Sequence, residues 1–202
     1  LYLTIPAKAM NVAGDALVKP GAVLVDLRAV MVREPGCGGS DEAPELSGGF
    51  DLRELRSGDM EGAVRLAGRC FRGLSRFYRD PEIDNARCDE FYRRWLLRDM
   101  ERPGTVGLIC AHDGVTAGFG TMVRRADGHW RMGLIGVGKP HRGRGVGAAI
   151  LSGMAARAES DQRPLVTFTQ LASASAVRAY ERAGFRLRKV QLIVHLWMDR
   201  EP

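Results

Sequence analysis

Gly133-Leu-Ile-Gly-Val-Gly-Lys-Pro-His-Arg142-Gly-Arg-Gly-Val-Gly-Ala-Ala-Ile150 is the stretch that decides the fold. It reads as an apolar strand, a short basic connection and a glycine-rich helix start. Gly143, Gly145 and Gly147 carry no Cβ, so the backbone there can come close to a ligand. The first turn of the following helix has N–H groups without intrahelical partners, which suits phosphate. Arg142 and Arg144 add positive charge at the same place. The predicted feature is a pyrophosphate cradle. The same residues would also make a tight strand-to-helix turn with no ligand.

Two other cradles do not fit. A Walker loop ends in Gly-Lys-Ser/Thr, but Gly147 is followed by Ala148 and Ala149. A dinucleotide fingerprint needs Gly-x-Gly-x-x-Gly, and neither Gly143 nor Gly145 starts that spacing. The pattern present, Arg142-x-x-Gly145-x-Gly147, resembles the acetyl-coenzyme A loop of the GCN5-related N-acetyltransferases (GNAT). Downstream, Ser173-Ala-Ser-Ala176-Val-Arg-Ala-Tyr180-Glu-Arg-Ala-Gly184-Phe185 resembles the second half of that family's site. Ala176, Tyr180, Gly184 and Phe185 match its pattern, and Ser173 stands where Asn is usual. Ser173 suits an N-cap, Gly184 a left-handed helix end, and Ala176 and Tyr180 share one helical face. Alone, Tyr180 would read as an amphipathic core residue.

The chain has 202 residues, 45% of them hydrophobic, enough for one packed domain and a little more. No apolar run is long enough to span a membrane, and no secretory leader pattern opens the chain. Cys37, Cys70, Cys88 and Cys110 are widely spaced with no Cys-x-x-Cys pair, so neither zinc nor dithiol chemistry is expected. Reduced thiols and a cytoplasmic location follow as expectations. The net charge of +6 suits an anionic small molecule. With no long basic run, nucleic acid is not an expected partner.

Residues 1–34 include the apolar stretch Ala22 to Val32, which alternates like a strand and is expected in an N-terminal extension or partial domain. Residues 35–49 read as a linker and 50–202 as the main domain. Strands are expected at Phe50–Leu55, Thr105–Ala111, Ala117–Arg124, Trp130–Val137 and Pro164–Gln170, with one or two more over Phe185–Met198. Helices are expected after Asp59, over Asp89–Met100, from the glycine loop to about Glu159, and around Tyr180. Asp113-Gly114 and Asp127-Gly128 are hairpin turns. The fold class is α/β (α+β), and the resemblance implies a GNAT fold: a mixed, mostly antiparallel sheet flanked by helices.

Within the family, four features resemble nucleotide-sugar N-acetyltransferases of the dTDP-fucosamine type: Ser75-Arg-Phe-Tyr-Arg-Asp80, Phe91-Tyr-Arg-Arg-Trp95, Thr169-Gln170 and Val194-His195-Leu-Trp197. They suggest Arg76, Tyr78, Trp95, Gln170 and His195 as substrate residues. Phe77, Tyr78 and Trp95 would equally cover a core, Arg76 a solvated surface, and His195 a sheet position.

The resemblance implies acetyl transfer from acetyl-CoA to a primary amine, with no metal. Gly136, Val137, Arg142, Gly143, Arg144, Gly145, Val146, Gly147, Ala148, Ser173, Ala176 and Tyr180 would hold the cosubstrate. A bulge at Gly136–Val137 would aim a backbone N–H at the thioester carbonyl. Tyr180 would protonate the departing thiolate. For the amine's proton, His129, His195, Asp80 or a water chain are candidates. The expected substrate is a nucleotide-linked amino sugar. An aminoglycoside, a protein N-terminus, or an acyl-CoA-binding domain without catalysis are alternatives. A homodimer formed through the closing strand, Gln191 to Met198, is a further expectation.

Overall fold

The computed structural model describes residues 2–9, 14–15, 17–37, 46 and 48–197. Most of the expected linker, and Met198 at the end of the closing strand, lie outside the described residues. The strands are β1 (Tyr2–Pro6), β2 (Ala22–Arg33), β3 (Phe50–Glu54), β4 (Thr105–His112), β5 (Val115–Arg124), β6 (Trp130–Val137), β7 (Leu165–Gln170) and β8 (Arg186–Leu196). The helices are α1 (Met60–Cys70), the single turn α2 (Arg76–Arg79), α3 (Asn85–Glu101), α4 (Val146–Ser160) and α5 (Ala174–Arg182). From β3 onward the order follows the sequence reading, with α2 inserted where a loop was expected.

All eight described strands form one sheet, ordered β1-β8-β2-β7-β6-β5-β4-β3. Neighbours are antiparallel except β6 and β7. The N-terminal segment, expected as an extension, therefore belongs to the same sheet: β2 runs beside β8 from Ala22 to Val32, and its second half, Arg28 to Arg33, lies between β8 and β7. Ala29, Val30 and Met31, consecutive and all buried, suit the interior position of that half. Alternation fails in β2 because the register shifts between Leu24 and Asp26, leaving Val25 and Asp26 both buried. β8 has β2 on one side and, over Gln191–His195, β1 on the other, so that part of the closing strand is not an edge.

The sheet has two covered faces. On one, α4 lays Val146, Ile150 and Met154 over β4 and β5, joined by Tyr180 and Phe185 at α5 and by Ala29 and Met31 of β2. Gly118 makes room for this: a Cβ there would lie 2.7 Å from Val146. On the other face, Ala63, Ala67 and Cys70 of α1 and Tyr92 and Leu96 of α3 cover Phe119 and Leu134. Each large side chain so buried contributes about 1.5–3 kcal/mol.

Asp113-Gly114 makes the expected tight hairpin, with φ of 49° and 76°. Asp84 caps α3, accepting from the Ala86 and Arg87 N–H groups at 2.9 and 3.2 Å, which starts that helix earlier than the sequence suggested. Ser173 and Asp59 occupy N-cap positions without side-chain capping bonds. Asp59 accepts from Arg53 and from the Arg56 N–H instead.

Candidate active site

Parallel strands β6 and β7 pair only at Trp130–Leu165 and Arg131–Val166. Beyond that point they separate, leaving a cleft that ends at Val137 on one side and Gln170 on the other. The chain leaves β6 through one 3-10 turn, Lys139–His141, and enters α4 at Val146. Gly143 and Gly145 take the left-handed conformation, with φ of 74° and 81°, which few residues other than glycine adopt. Among the described residues, and apart from its chain neighbours, no heavy atom lies within 4 Å of where a Cβ on Gly143 would sit; for Gly147, apart from its neighbours and its own helix backbone, Val137 Cγ2 at 3.5 Å is the one approach. The first helical bond runs from the Ala149 N–H to the Gly145 carbonyl. The N–H groups before it are free of intrahelical partners. The loop therefore presents open backbone donors at the mouth of the cleft, which fits a phosphate group.

Arg142 has a different immediate task from the one expected. It donates through Nε to the Val137 carbonyl at 3.2 Å and through Nη2 to the Cys70 carbonyl at 2.8 Å. It thus ties the loop to the ends of β6 and α1. Arg144 lies over the Phe50 ring, 4.7 Å from its centroid.

The bulge expected at Gly136–Val137 is elsewhere. Gly118, Phe119 and Gly120 pair regularly with Val137, Gly136 and Ile135, and the register slips between Gly120 and Met122. The extra residue lies at Gly133–Leu134, opposite Thr121. Thr121 Oγ1 fixes it, accepting from the Leu134 N–H at 3.0 Å while donating to Asp99 at 3.2 Å. A Cβ on Gly133 would collide with both side chains, so glycine is required there.

Across the cleft, α5 follows Ser173 at its N-cap, and Gly184 just beyond its end, with φ of 83°, terminates it as expected. Tyr180 is buried, its ring against Phe185 at 5.4 Å between centroids. Val137 and Ala176 pack on the same cluster. Burial pushes the phenol up, against an opposing interaction with Thr167 of β7. The hydroxyl stays protonated and can serve as an acid.

The opposite face of the sheet collects three of the five expected substrate residues. Gln170, at the end of β7, bridges to the next layer: with its amide oxygen and nitrogen assigned to match their neighbours, it donates to the Leu74 carbonyl and accepts from the Arg76 N–H. His195 lies beneath the segment 74–80, its ring 6.0 Å from Phe77. Its Nδ1 is 2.5 Å from Asp80 Oδ2. Tyr78 and Trp95 lie apart from this group. The Tyr78 hydroxyl donates to Asp89 at 2.6 Å, on a carboxylate that Arg72 also holds. Trp95 stacks on Tyr92 at 6.0 Å, in the core under α3.

The candidate proton acceptors are also sorted by position. His129 pairs with Asp127 in the β5–β6 hairpin. That is the far end of β6, about 23 Å from Val137 at the rise of an extended strand. Asp80 is buried and occupied by His195, Trp197 and the Glu82 N–H. His195 is the one on the face with Arg76 and Gln170. Sequence reading missed Asp26 and Arg28, which β2 brings to that same face. Their only signal was a pair of charges inside an apolar strand. Among the described residues no group of three or more His, Cys, Asp or Glu side chains could hold a metal, and no helix is long and apolar enough to cross a membrane.

The chain is similar to known proteins. The acetyltransferase (GNAT) domain model matches residues 79–195. A relative, the spore coat polysaccharide biosynthesis protein SpsD of Bacillus subtilis (strain 168), is 24% identical over the whole chain, which spans 68% of that protein. A GCN5-related N-acetyltransferase from Sphaerobacter thermophilus superposes with a TM-score of 0.69 at 20% identity, over 96% of this chain and 58% of its own. One from Kribbella flavida gives 0.63 at 19%, over 96% and 67%. The chain thus spans somewhat under or about two thirds of these relatives. The domain match covers more than half of the sequence, and the splayed strands, glycine loop and Tyr180 helix stand in that domain's order: the chain belongs to the GNAT acetyltransferase family.

Proposed function

We propose that this protein transfers acetyl from acetyl-CoA to the primary amine of a small molecule, and that the acceptor is a nucleotide-linked amino sugar. The observation that carries the reading is the cleft between β6 and β7, with open backbone donors of the glycine loop at its mouth and Tyr180 buried across it. Gly143, Gly145, Gly147 and Ala148 would take the pyrophosphate of acetyl-CoA, with Val146 seating the helix start. Arg142 holds the loop in place. Gly136, Val137, Ser173 and Ala176 would line the path of the pantetheine arm. The relative named for polysaccharide biosynthesis supports a sugar acceptor.

In this reading the acceptor lies on the face of Arg76, Gln170 and His195. The amine must lose a proton to attack the thioester carbon, and His195, oriented by Asp80, is the group on that face able to take it. The carbon–nitrogen bond forms, the carbon–sulfur bond breaks, and Tyr180 gives its proton to the leaving thiolate. Backbone N–H groups of β6 next to the cleft would stabilise the oxyanion.

Thiol release from acetyl-CoA against a panel of amines tests this. The panel holds dTDP-4-amino-4,6-dideoxy sugars, aminoglycosides and an N-terminal peptide. Saturable release with the nucleotide sugars is expected. Release with another amine alone would overturn the substrate, and no release with any, despite a rise in melting temperature with acetyl-CoA, would overturn the catalytic reading.

A further inference from the structure

Strand β2 carries charge into the sheet beside the cleft. Arg28 stands directly opposite Gln170 of β7 and Gln191 of β8. Its Nε and Nη2 donate to Gln191 Oε1 at 3.2 and 2.9 Å, and its guanidinium lies 5.1 Å from the centre of the Phe168 ring. Arg76 reaches the same area from the segment above. Its guanidinium lies 4.5 Å from the centre of Phe77 and 5.3 Å from that of Tyr2. Both guanidinium groups thus rest on aromatic rings, which leaves in-plane donors for an oxyanion.

The charges here do not balance. Among the described residues neither Arg28 nor Arg76 forms an ion pair. Asp26, two residues from Arg28 on the same face, is 6% exposed, and its Oδ1 has no hydrogen-bond partner among the described residues. Arg76 Nε is buried and equally without a partner. Arg79 adds a third cation acting on Asp26. Burial, then repulsion from Arg76, draws the Arg28 guanidinium below its ordinary range, and burial holds the Asp26 carboxyl up despite the arginines. An anion placed between Arg28 and Arg76 would relieve the repulsion and use the idle donors. Phe168 and Tyr2, 40% and 54% exposed, border the position and offer ring faces.

We propose that Arg28 and Arg76 together bind a phosphate group of the acceptor, so that the substrate is a phosphate-bearing amine. This rests on the reading above that the acceptor occupies this face. It goes beyond it in assigning recognition to β2, the strand supplied from the N-terminal segment.

The test uses the acetyl-CoA-loaded protein, so that the glycine loop is filled. Binding of dTDP and of inorganic pyrophosphate is measured by calorimetry for wild type, Arg28→Gln and Arg76→Gln. A bidentate charged contact is worth roughly ten- to a hundredfold in affinity. Each variant is expected to weaken dTDP at least tenfold, with Arg28→Lys between the extremes because it keeps the charge without the fork. Melting temperatures establish that the variants are folded. Absence of binding to loaded wild type, or equal binding to folded variants, overturns the proposal.

A turnover arm separates it from the substrate reading. The preference for a dTDP-amino sugar over the same amino sugar without nucleotide should fall at least tenfold in Arg28→Gln. An unchanged preference would sink the phosphate site and keep the nucleotide sugar. Turnover of a different phosphorylated amine, with Arg28-dependent pyrophosphate binding, would sink the nucleotide sugar and keep the phosphate site.

Discussion

Asp80 and His195 meet across 115 positions of sequence, Oδ2 to Nδ1 at 2.5 Å, with both side chains almost wholly removed from solvent. Trp197 donates to the same carboxylate oxygen at 3.2 Å, and the Glu82 N–H reaches the other at 3.0 Å. The pair fastens segment 74–80 onto β8 and so fixes Arg76 and Phe77 above the proposed acceptor face. Removing one partner of such a pair strands the other. Asp80→Ala should cost about 3–5 kcal/mol, measured by urea unfolding at pH 7. Burial works against ionising Asp80, but bonds from His195, Glu82 and Trp197 prevail and hold its carboxyl below the ordinary value. Its contribution is therefore complete above about pH 4 and fades as pH falls further. The gap between wild type and variant should narrow there. A gap that stays constant down to pH 3 would contradict this.

Gly147 separates ligand approach from folding. Its backbone is not in the left-handed region, and a Cβ would meet only ordinary contact with Val137. Alanine is the better helix former, by as much as about 1 kcal/mol. Gly147→Ala should keep or raise the melting temperature while weakening acetyl-CoA at least tenfold, because the methyl group occupies the open side of the loop. Undiminished affinity would show that the loop is only a turn. Gly145→Ala is expected to fail differently, through left-handed strain of about 1–2 kcal/mol.

Tyr180→Phe removes one oxygen from a buried site and leaves the ring packing on Phe185 intact. With Tyr180 as the acid, turnover should drop about a hundredfold. Acetyl-CoA affinity should stay within a few-fold. Steady-state kinetics with calorimetry on the same preparations gives both numbers, and a variant that turns over within threefold of wild type would remove Tyr180 from the chemistry.

Asp26 is costly where it stands, and that makes it testable by stability alone. Burial raises its carboxyl above the ordinary value, so the folded state is penalised once the unfolded chain would ionise, and the penalty grows as pH rises from about 4 through the folded value. Asp26→Asn should stabilise the protein by about 1–3 kcal/mol at pH 7, and by less at pH 4. Thermal melts at the two pH values read the difference. A variant less stable than wild type at pH 7 would mean that Arg76, Arg79 and Arg28 already satisfy the carboxylate.

Local features were legible in the order of residues alone. The glycine loop, the Tyr180 helix ending at Gly184, the Asp113-Gly114 hairpin and most strand limits follow from residues a few positions apart, since backbone freedom, caps and periodicity act over that range. The glycine-loop side of the cleft was legible for the same reason: strand, loop and helix are consecutive. The bulge was misplaced from Gly136 to Gly133 because its cause, Thr121 held by Asp99, comes from another strand and a helix. The proposed acceptor face is assembled by pairing between distant strands. Nothing near Ala22–Arg33 says that this run inserts between β7 and β8, because strand pairing depends on which distant edges are open and on burial of both faces. That insertion brings Asp26 and Arg28 to Arg76 and gives the N-terminal segment a share in the proposed acceptor face.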